Sequence, residues 1–233
     1  MATTAEASAT LDSPEGRIVF RGVEWGDYEK MLQIVGERHI YVTYDEGTME
    51  VRMPSQRHEQ ASQLLGFFVP LVADELDVDY EPLGMTTWKR LDMEKGLESD
   101  QCYYIQNAPI VREREALDLE VNPPPDLAIE VDITSSSLNR MGIYAELRVP
   151  ELWRYDGLRL AIYELQADGE YRPREASISF RGLLPADVER FIELGRTTAK
   201  LQWARAIRES VRTELIPRRK MSELRGTGGS DAS

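Results

Sequence analysis

The sequence is poor in the residues that build cross-links and metal cages. It has one cysteine, Cys102, and two histidines, His39 and His58, among 233 residues. A disulfide within the chain is therefore impossible, and a standard structural zinc site is out of reach. No apolar run approaches the roughly 18 residues of a membrane-spanning helix. The opening stretch, MATTAEASATLDSPEG, has no basic segment leading into an apolar one, so no secretory signal is expected. These absences lead to the expectation of a cytoplasmic protein with no membrane partner. Positive charge is also scarce: 28 lysines and arginines face 41 aspartates and glutamates, for a net charge of −13. That excludes a broad basic footprint of the kind that coats nucleic acid, so any contact with phosphate needs a local basic patch or a metal ion.

What is there is ordinary globular material, 42% hydrophobic and 30% charged. Residues 1–16 are small and polar and read as disordered, as does a basic, then Gly/Ser-rich tail over 216–233. Between them, 17–215 reads as one domain. Trp25, Tyr28, Met31, Leu32 and Val35 recur at helical spacing. HIYVTY and TMEVRM flank Asp45-Glu46-Gly47 as a β-hairpin. Ser55 caps a long helix over 58–76 that contains Pro70. Short strands follow near 79–81, 86–89 and 101–106. Three prolines then lead into DLAIEVDIT, a strand with Leu127, Ile129 and Val131 on one face. Ser135 to Ser137 offer a cap for a helix over 138–148. ELWRYD and RLAIYEL form a second hairpin, YRPRE and SISF weaker strands. A final helix over 185–214 carries Val188, Phe191, Ile192, Trp203, Ile207 and Val211. That stripe is long enough to pack on the sheet or to pair two subunits in a homodimer. The order predicts an α/β (α+β) fold with a mixed central sheet, flanking helices and an N-terminal helix-hairpin.

The chemistry concentrates in PPPDLAIEVD. Glu130 and Asp132 are two apart on a strand, so their Cα atoms lie roughly 6.6 Å apart on one face. Two carboxylates that close repel unless one is protonated or a cation sits between them. Oxygen donors of this kind suit Mg²⁺, Mn²⁺ or Ca²⁺. The alternative is that the strand ends at Ile129 and both acids face water. Asp126 shares a face with Glu130 but is roughly 13 Å away, too far to chelate the same ion. A partner for Glu130 must come from another element. Asp100, opening DQCYYIQ, is best placed, followed by Glu98 and by Glu59 near the start of the long helix. Cys102, Trp153 and Tyr155 read as core residues. Lys89, Arg90, Arg112 and Arg114 read as solvated loop charge or phosphate contacts.

Three blocks, DQCYYIQN, PPPDLAIEVDITSSS and IYAELRVPELWRYDG, resemble the Uma-type family of restriction endonucleases, within the PD-(D/E)XK nuclease superfamily. MPSQRHE, TTWKR and GLESD fit as well, and the likeness runs over residues 20–195. It implies a restriction-endonuclease-like core and a metal-dependent endonuclease acting on DNA. The first acidic position falls on Asp100 and the glutamate of the E-x-K motif on Glu130, with Mg²⁺ (or Mn²⁺) held by both and by the Val131 carbonyl. His58-Glu59 matches a pair at the head of the helix, His58 serving as proton shuttle or phosphate contact. Many relatives carry a catalytic lysine four residues before a tyrosine. Here that tyrosine is Tyr144, and the lysine position holds Arg140.

Two departures follow. Asp132 stands at the E-x-K lysine position, where it would add metal charge or accept a proton from water. Arg140 is charged at every relevant pH, so it cannot act as a general base, though it can fork onto a phosphate. The expectation is that Asp100 and Glu130 converge, and that Arg140 reaches back over Glu130 in place of the lysine. The rival reading is a nuclease fold that has lost catalysis and binds nucleic acid or protein. A third is a plain interaction protein.

Overall fold

The computed structural model describes residues 6–10, 15–133, 136 and 138–227. In chain order the elements are β1 (Glu6–Thr10), β2 (Gly16–Arg21), α1 (Trp25–Val35), β3 (Tyr41–Asp45), β4 (Thr48–Met53), α2 (Gln56–Leu76), β5 (Glu81–Pro82), β6 (Thr86–Arg90), β7 (Lys95–Ser99), β8 (Gln101–Tyr104), α3 (Ala108–Val111) and β9 (Leu127–Val131). They continue with α4 (Arg140–Glu146), β10 (Glu151–Tyr155), β11 (Leu160–Leu165), β12 (Tyr171–Arg174), α5 (Pro185–Thr197), α6 (Lys200–Ser210) and α7 (Ile216–Thr227). None of these helices is long and apolar enough to cross a membrane.

The strands form two six-stranded sheets. The first, ordered β1-β2-β4-β3-β7-β6, is antiparallel throughout. The second, β12-β11-β10-β9-β8-β5, is mixed, because β9 and β10 run parallel across the α4 crossover. This second sheet is the restriction-endonuclease-like core that the sequence implies. The first extends the expected hairpin: β3 and β4 turn through Glu46 and Gly47, both at positive φ (43° and 87°), which matches the strand twist. GRIVFR, which gave no expectation, adds β2 beside β4.

Helix α2 covers one face of the mixed sheet. Its cap is as expected, with the Ser55 hydroxyl accepting from the His58 amide at 3.2 Å. Leu64, Leu65, Phe68, Val69 and Val72 are buried against Leu127, Ile129, Val131 and Trp153. Pro70 leaves the carbonyl of Gly66 without its helical N–H donor, and the Tyr103 hydroxyl donates to it at 3.1 Å. The opposite face of the sheet packs α3, α4 and the β6–β7 pair around Trp88, Cys102, Tyr104 and Tyr144.

Two expectations are corrected here. The final helix is not continuous: α5 ends at Thr197, its C-cap Thr198 has an extended ψ of 146°, and a π turn over Val211–Leu215 separates α6 from α7. Its apolar stripe is buried within the chain on α2, where Gly195 lets Trp203 and Leu64 approach. SISF is a turn, not a strand, because the amides of Ile178 and Ser179 donate to the buried carboxylate of Glu151. Regular backbone also extends into both terminal segments that composition marks as disordered, as β1 and α7; residues 1–5, 11–14 and 228–233 lie outside the described residues. So do Ser135 and Ser137. The cap of α4 is Asn139, which accepts from the Gly142 amide at 3.1 Å.

Candidate nuclease site

Asp100 is the single residue between β7 and β8, where the chain leaves the first sheet and enters the second. The β8–β9 register pairs Gln101 with Ile129 and Cys102 with Ala128. Continued by one residue, it sets Asp100 opposite Glu130, with Cα atoms roughly 4.5–5.5 Å apart. The Asp100 carboxylate then accepts from the Val131 amide at 2.6 Å, an end-of-strand donor that the ladder leaves open. This brings together two acids thirty residues apart in sequence.

Each of the two is already engaged by cations. Arg140, at the head of α4, forks onto Glu130: Nη2 donates to Oε1 at 2.6 Å and Nε to Oε2 at 2.9 Å. The same guanidinium donates to the Glu98 carbonyl at 2.6 Å and to the Thr43 hydroxyl, so it ties β3 and β7 of one sheet to β9 of the other. The Tyr144 hydroxyl, one helical turn on, donates to Oε1 as well. Burial, then the charge of Glu130, hold that phenol well above its ordinary pKa, so it keeps its proton and stays a donor. Spacing explains the convergence, since residues four apart on a helix share a face.

Asp100 meets His58 Nε2 at 3.1 Å and Arg52 Nη2 at 3.7 Å. Burial alone would raise its pKa; His58, then Arg52 and Arg140, reverse this and bring it to about 2. Burial works against charging His58, but the contact with Asp100 outweighs it and raises the imidazole above its usual value. Arg52 lies over the Tyr41 ring, 4.8 Å from its centroid, and reaches Glu15 at 4.0 Å. Arg17 pairs with Glu50 at 3.4 Å. Glu98 is buried too and is pushed up to about 7 by desolvation, despite accepting from the Val42 amide and the Thr87 hydroxyl.

Of the residues expected at the site, Asp100, Glu130, Arg140 and His58 come together. Glu59 stands beside His58, with 3.8 Å between its Oε1 and Nδ1. Asp132 lies just past the end of β9 and pairs with Arg154 of β10 instead of bending back toward Asp100. Asp126 is structural: it accepts from the Ile105 and Asn107 amides and from the Asn107 side chain, at 2.6, 3.0 and 2.8 Å. Lys89, Arg90 and Arg112 are held by Glu29, by Asp92 and by Asp79 with Glu81. Cys102 is buried, and desolvation pushes its thiol up to about 11.

Sequence reasoning missed Thr43, Glu50 and Arg52. For Glu50 and Arg52 the signal was present in TMEVRM, where the two share one strand face opposite Met49 and Val51; Thr43 gave none. Charges alternating on a hairpin usually mark the wet face, but here that face is covered by the second sheet and α4.

A divalent ion does not fit this donor set as arranged. Both oxygens of Glu130 are capped by Arg140 and Tyr144. Asp100 gives one oxygen to the Val131 amide and presents the other to His58 and Arg52. Among the described residues no cluster of three or more His, Cys, Asp or Glu could hold a metal. The fixed charge of the Arg140 guanidinium balances that of Glu130.

Beside Glu130 lies a pocket of about 150 Å³, with Arg52, Asp132, Asn139, Arg140 and Arg154 in its wall. No curated protein matches the chain. The family model Uma2, described as "Putative restriction endonuclease", matches residues 25–199, which takes in Arg52, His58, Asp100, Glu130 and Arg140. The chain belongs to the Uma2 family of restriction-endonuclease-like proteins.

Proposed function

We propose that this protein is a nucleic-acid-binding member of the family that does not hydrolyse phosphodiester bonds. The observation that carries this reading is the fork of Arg140 on Glu130. Arginine does not release its proton near neutral pH, so it cannot take one from water. Two of its four donor contacts, with the Tyr144 hydroxyl, also engage both oxygens of Glu130. Family membership supports nucleic acid as partner, with DNA first. Arg52, Arg140 and Arg154 stand against Glu130 and Asp132 around one pocket, a balance more basic than that of the chain as a whole, with its net charge of −13.

The second reading, metal-dependent cleavage of DNA with Mg²⁺ or Mn²⁺ on Asp100, Glu130 and the Val131 carbonyl, is favoured by one observation. The register sets Asp100 opposite Glu130, as the family pattern implies. Nicking of supercoiled plasmid in Mg²⁺ and Mn²⁺, run beside fluorescence anisotropy on labelled DNA, separates the two. The first reading expects salt-dependent binding and no nicking. Nicking that disappears in Glu130→Gln establishes the second. Neither binding nor nicking removes both.

A further inference from the structure

On the α2 side of Asp100 lies a second concavity, of about 300 Å³, walled by α2, the turn between β5 and β6 and the start of β8. It shares no residue with the pocket beside Glu130. Glu59, Ser62, Gln63, Gly66 and Phe67 reach it together, because positions three and four apart share one face of a helix. Two features of this wall do nothing for the core. Phe67 is 60% exposed, and Met85, on the β5–β6 turn, is 37% exposed, so two separate elements bring apolar surface to the same hollow. Gly66 sits in mid-helix, where glycine is less favourable than alanine. A Cβ there would stand 3.0 Å from the carbon, the nitrogen and the oxygen of the Gln101 amide alike. Equal distances to all three atoms set that amide face-on against the glycine. Its Nε2 donates to the Ser62 hydroxyl at 3.1 Å, which fixes its plane. The glycine thus makes room for a flat hydrogen-bonding shelf close to an exposed aromatic ring. These groups are within reach of a ligand: Gln101 and Glu59 are half-buried and Gln63 is exposed.

We propose that this concavity receives one unpaired nucleobase, stacked on Phe67 and read at its edge by Gln101 and Glu59. Charge argues against a phosphate here. Among the described residues the wall holds no lysine or arginine, and the charge of Asp100 is already answered by His58 and Arg52. An aromatic face and a thioether beside amides and a carboxylate match a neutral planar heteroaromatic ring. The volume of about 300 Å³ is at the lower end of the roughly 300–1,000 Å³ of small-molecule sites, room for one base and not for a run of them. A carboxylate only accepts, so the favoured bases carry an exocyclic amino group, adenine or cytosine ahead of thymine. The inference rests on the nucleic-acid reading above and deepens it: the ligand is single-stranded, because a paired and stacked base cannot offer its face.

The test is fluorescence anisotropy of end-labelled single strands of equal length built from deoxyadenosine, deoxycytidine, thymidine or abasic units, with a duplex of that length beside them. Equal length fixes the phosphate charge of the single strands, so differences among them report the bases. Adenine and cytosine strands should bind about tenfold tighter than the abasic strand, the effect of one base–aromatic stack, and also tighter than the duplex. Phe67→Ala should bring the adenine strand to the abasic level and leave the abasic strand unchanged, while Phe67→Trp should keep the preference. Phe67 is exposed, so neither change threatens folding. Glu59→Gln should narrow the gap between adenine and thymine. Saturation-transfer NMR of free adenosine, which carries no phosphate, reads the hollow by itself. Strand binding indifferent to base and to Phe67→Ala overturns the proposal and leaves the nucleic-acid reading standing. A loss in Phe67→Ala shared equally by the abasic strand marks a structural effect and also overturns it. Equal adenine and thymine affinity, both lost in Phe67→Ala, overturns the edge readout. Adenosine saturation that Phe67→Ala abolishes, while no strand binds, upholds the base site and rejects the nucleic-acid reading instead. Binding of neither strand nor adenosine overturns both.

Discussion

Replacing Arg140 by alanine should destabilise the protein severely, because it strips the counter-charge from a buried carboxylate. Glu130 is 4% exposed and Asp100 1%, so neither can recover hydration when the guanidinium goes. The change also orphans the Glu98 carbonyl and the Thr43 hydroxyl, which Arg140 joins across the two sheets. Removing one partner of a buried ion pair costs about 3–5 kcal/mol. That is a large share of the roughly 5–15 kcal/mol available to a folded chain. For a chain of this size it corresponds to a fall in melting temperature of about 6–20 °C. Arg140→Lys keeps a charge but not the fork, so it should lose less than alanine. Arg140→Met combined with Glu130→Leu removes both charges and should recover stability relative to Arg140→Met alone. The assay is urea unfolding followed by circular dichroism and tryptophan fluorescence, with equal slopes required before midpoints are compared. A loss below about 1 kcal/mol for Arg140→Ala would match a surface ion pair and refute the buried lock.

Three further outcomes are expected. Stability should fall as pH rises from about 5 to 8: Glu98 is raised from 4.5 to about 7 and His58 lies above its usual value, and raised groups stabilise most below their unfolded pKa. Glu98 alone is worth at most about 3 kcal/mol, so Glu98→Gln should flatten the profile in pH-dependent urea titrations, and an unchanged profile would exclude it as the cause. Asp126→Ala should cost about 1–3 kcal/mol by leaving buried amides unpaired, while ligand binding by the folded protein is unaffected; loss of binding at full stability would give Asp126 a role at the site. Cys102, buried with its thiol raised to about 11, should react with a thiol reagent only as fast as the native state opens, so rapid labelling under native conditions would contradict its placement.

Local patterns made much of the fold readable. The Ser55 cap, the α2 stripe, the Gly47 turn and the apolar run of β9 each follow from neighbours in sequence. What stayed hidden depends on distant pairing. GRIVFR becomes β2 only because β4 offers it an edge, and SISF fails as a strand because Glu151 takes its amides. At the site, Asp100, Glu130 and Arg140 were legible from spacing and family pattern. Arg52 and Glu50 were not, since their burial arises from the packing of one sheet across another. Asp132 went elsewhere because β10 runs parallel to β9 and brings Arg154 within reach. The Arg140 reach over Glu130 was expected, whereas the saturation of its donors by Thr43 and the Glu98 carbonyl appears only once the sheets are packed together.

The central claim is that Arg140 fills the place of a divalent ion. Isothermal titration of Mn²⁺ into the native protein tests it most directly, with Glu130→Gln as reference. The structure predicts no saturable heat up to about 1 mM Mn²⁺, a Kd weaker than about −4 kcal/mol of binding, and identical traces for both proteins. A micromolar Mn²⁺ site that vanishes in Glu130→Gln would contradict the account, because it would show that the guanidinium yields Glu130 to a metal.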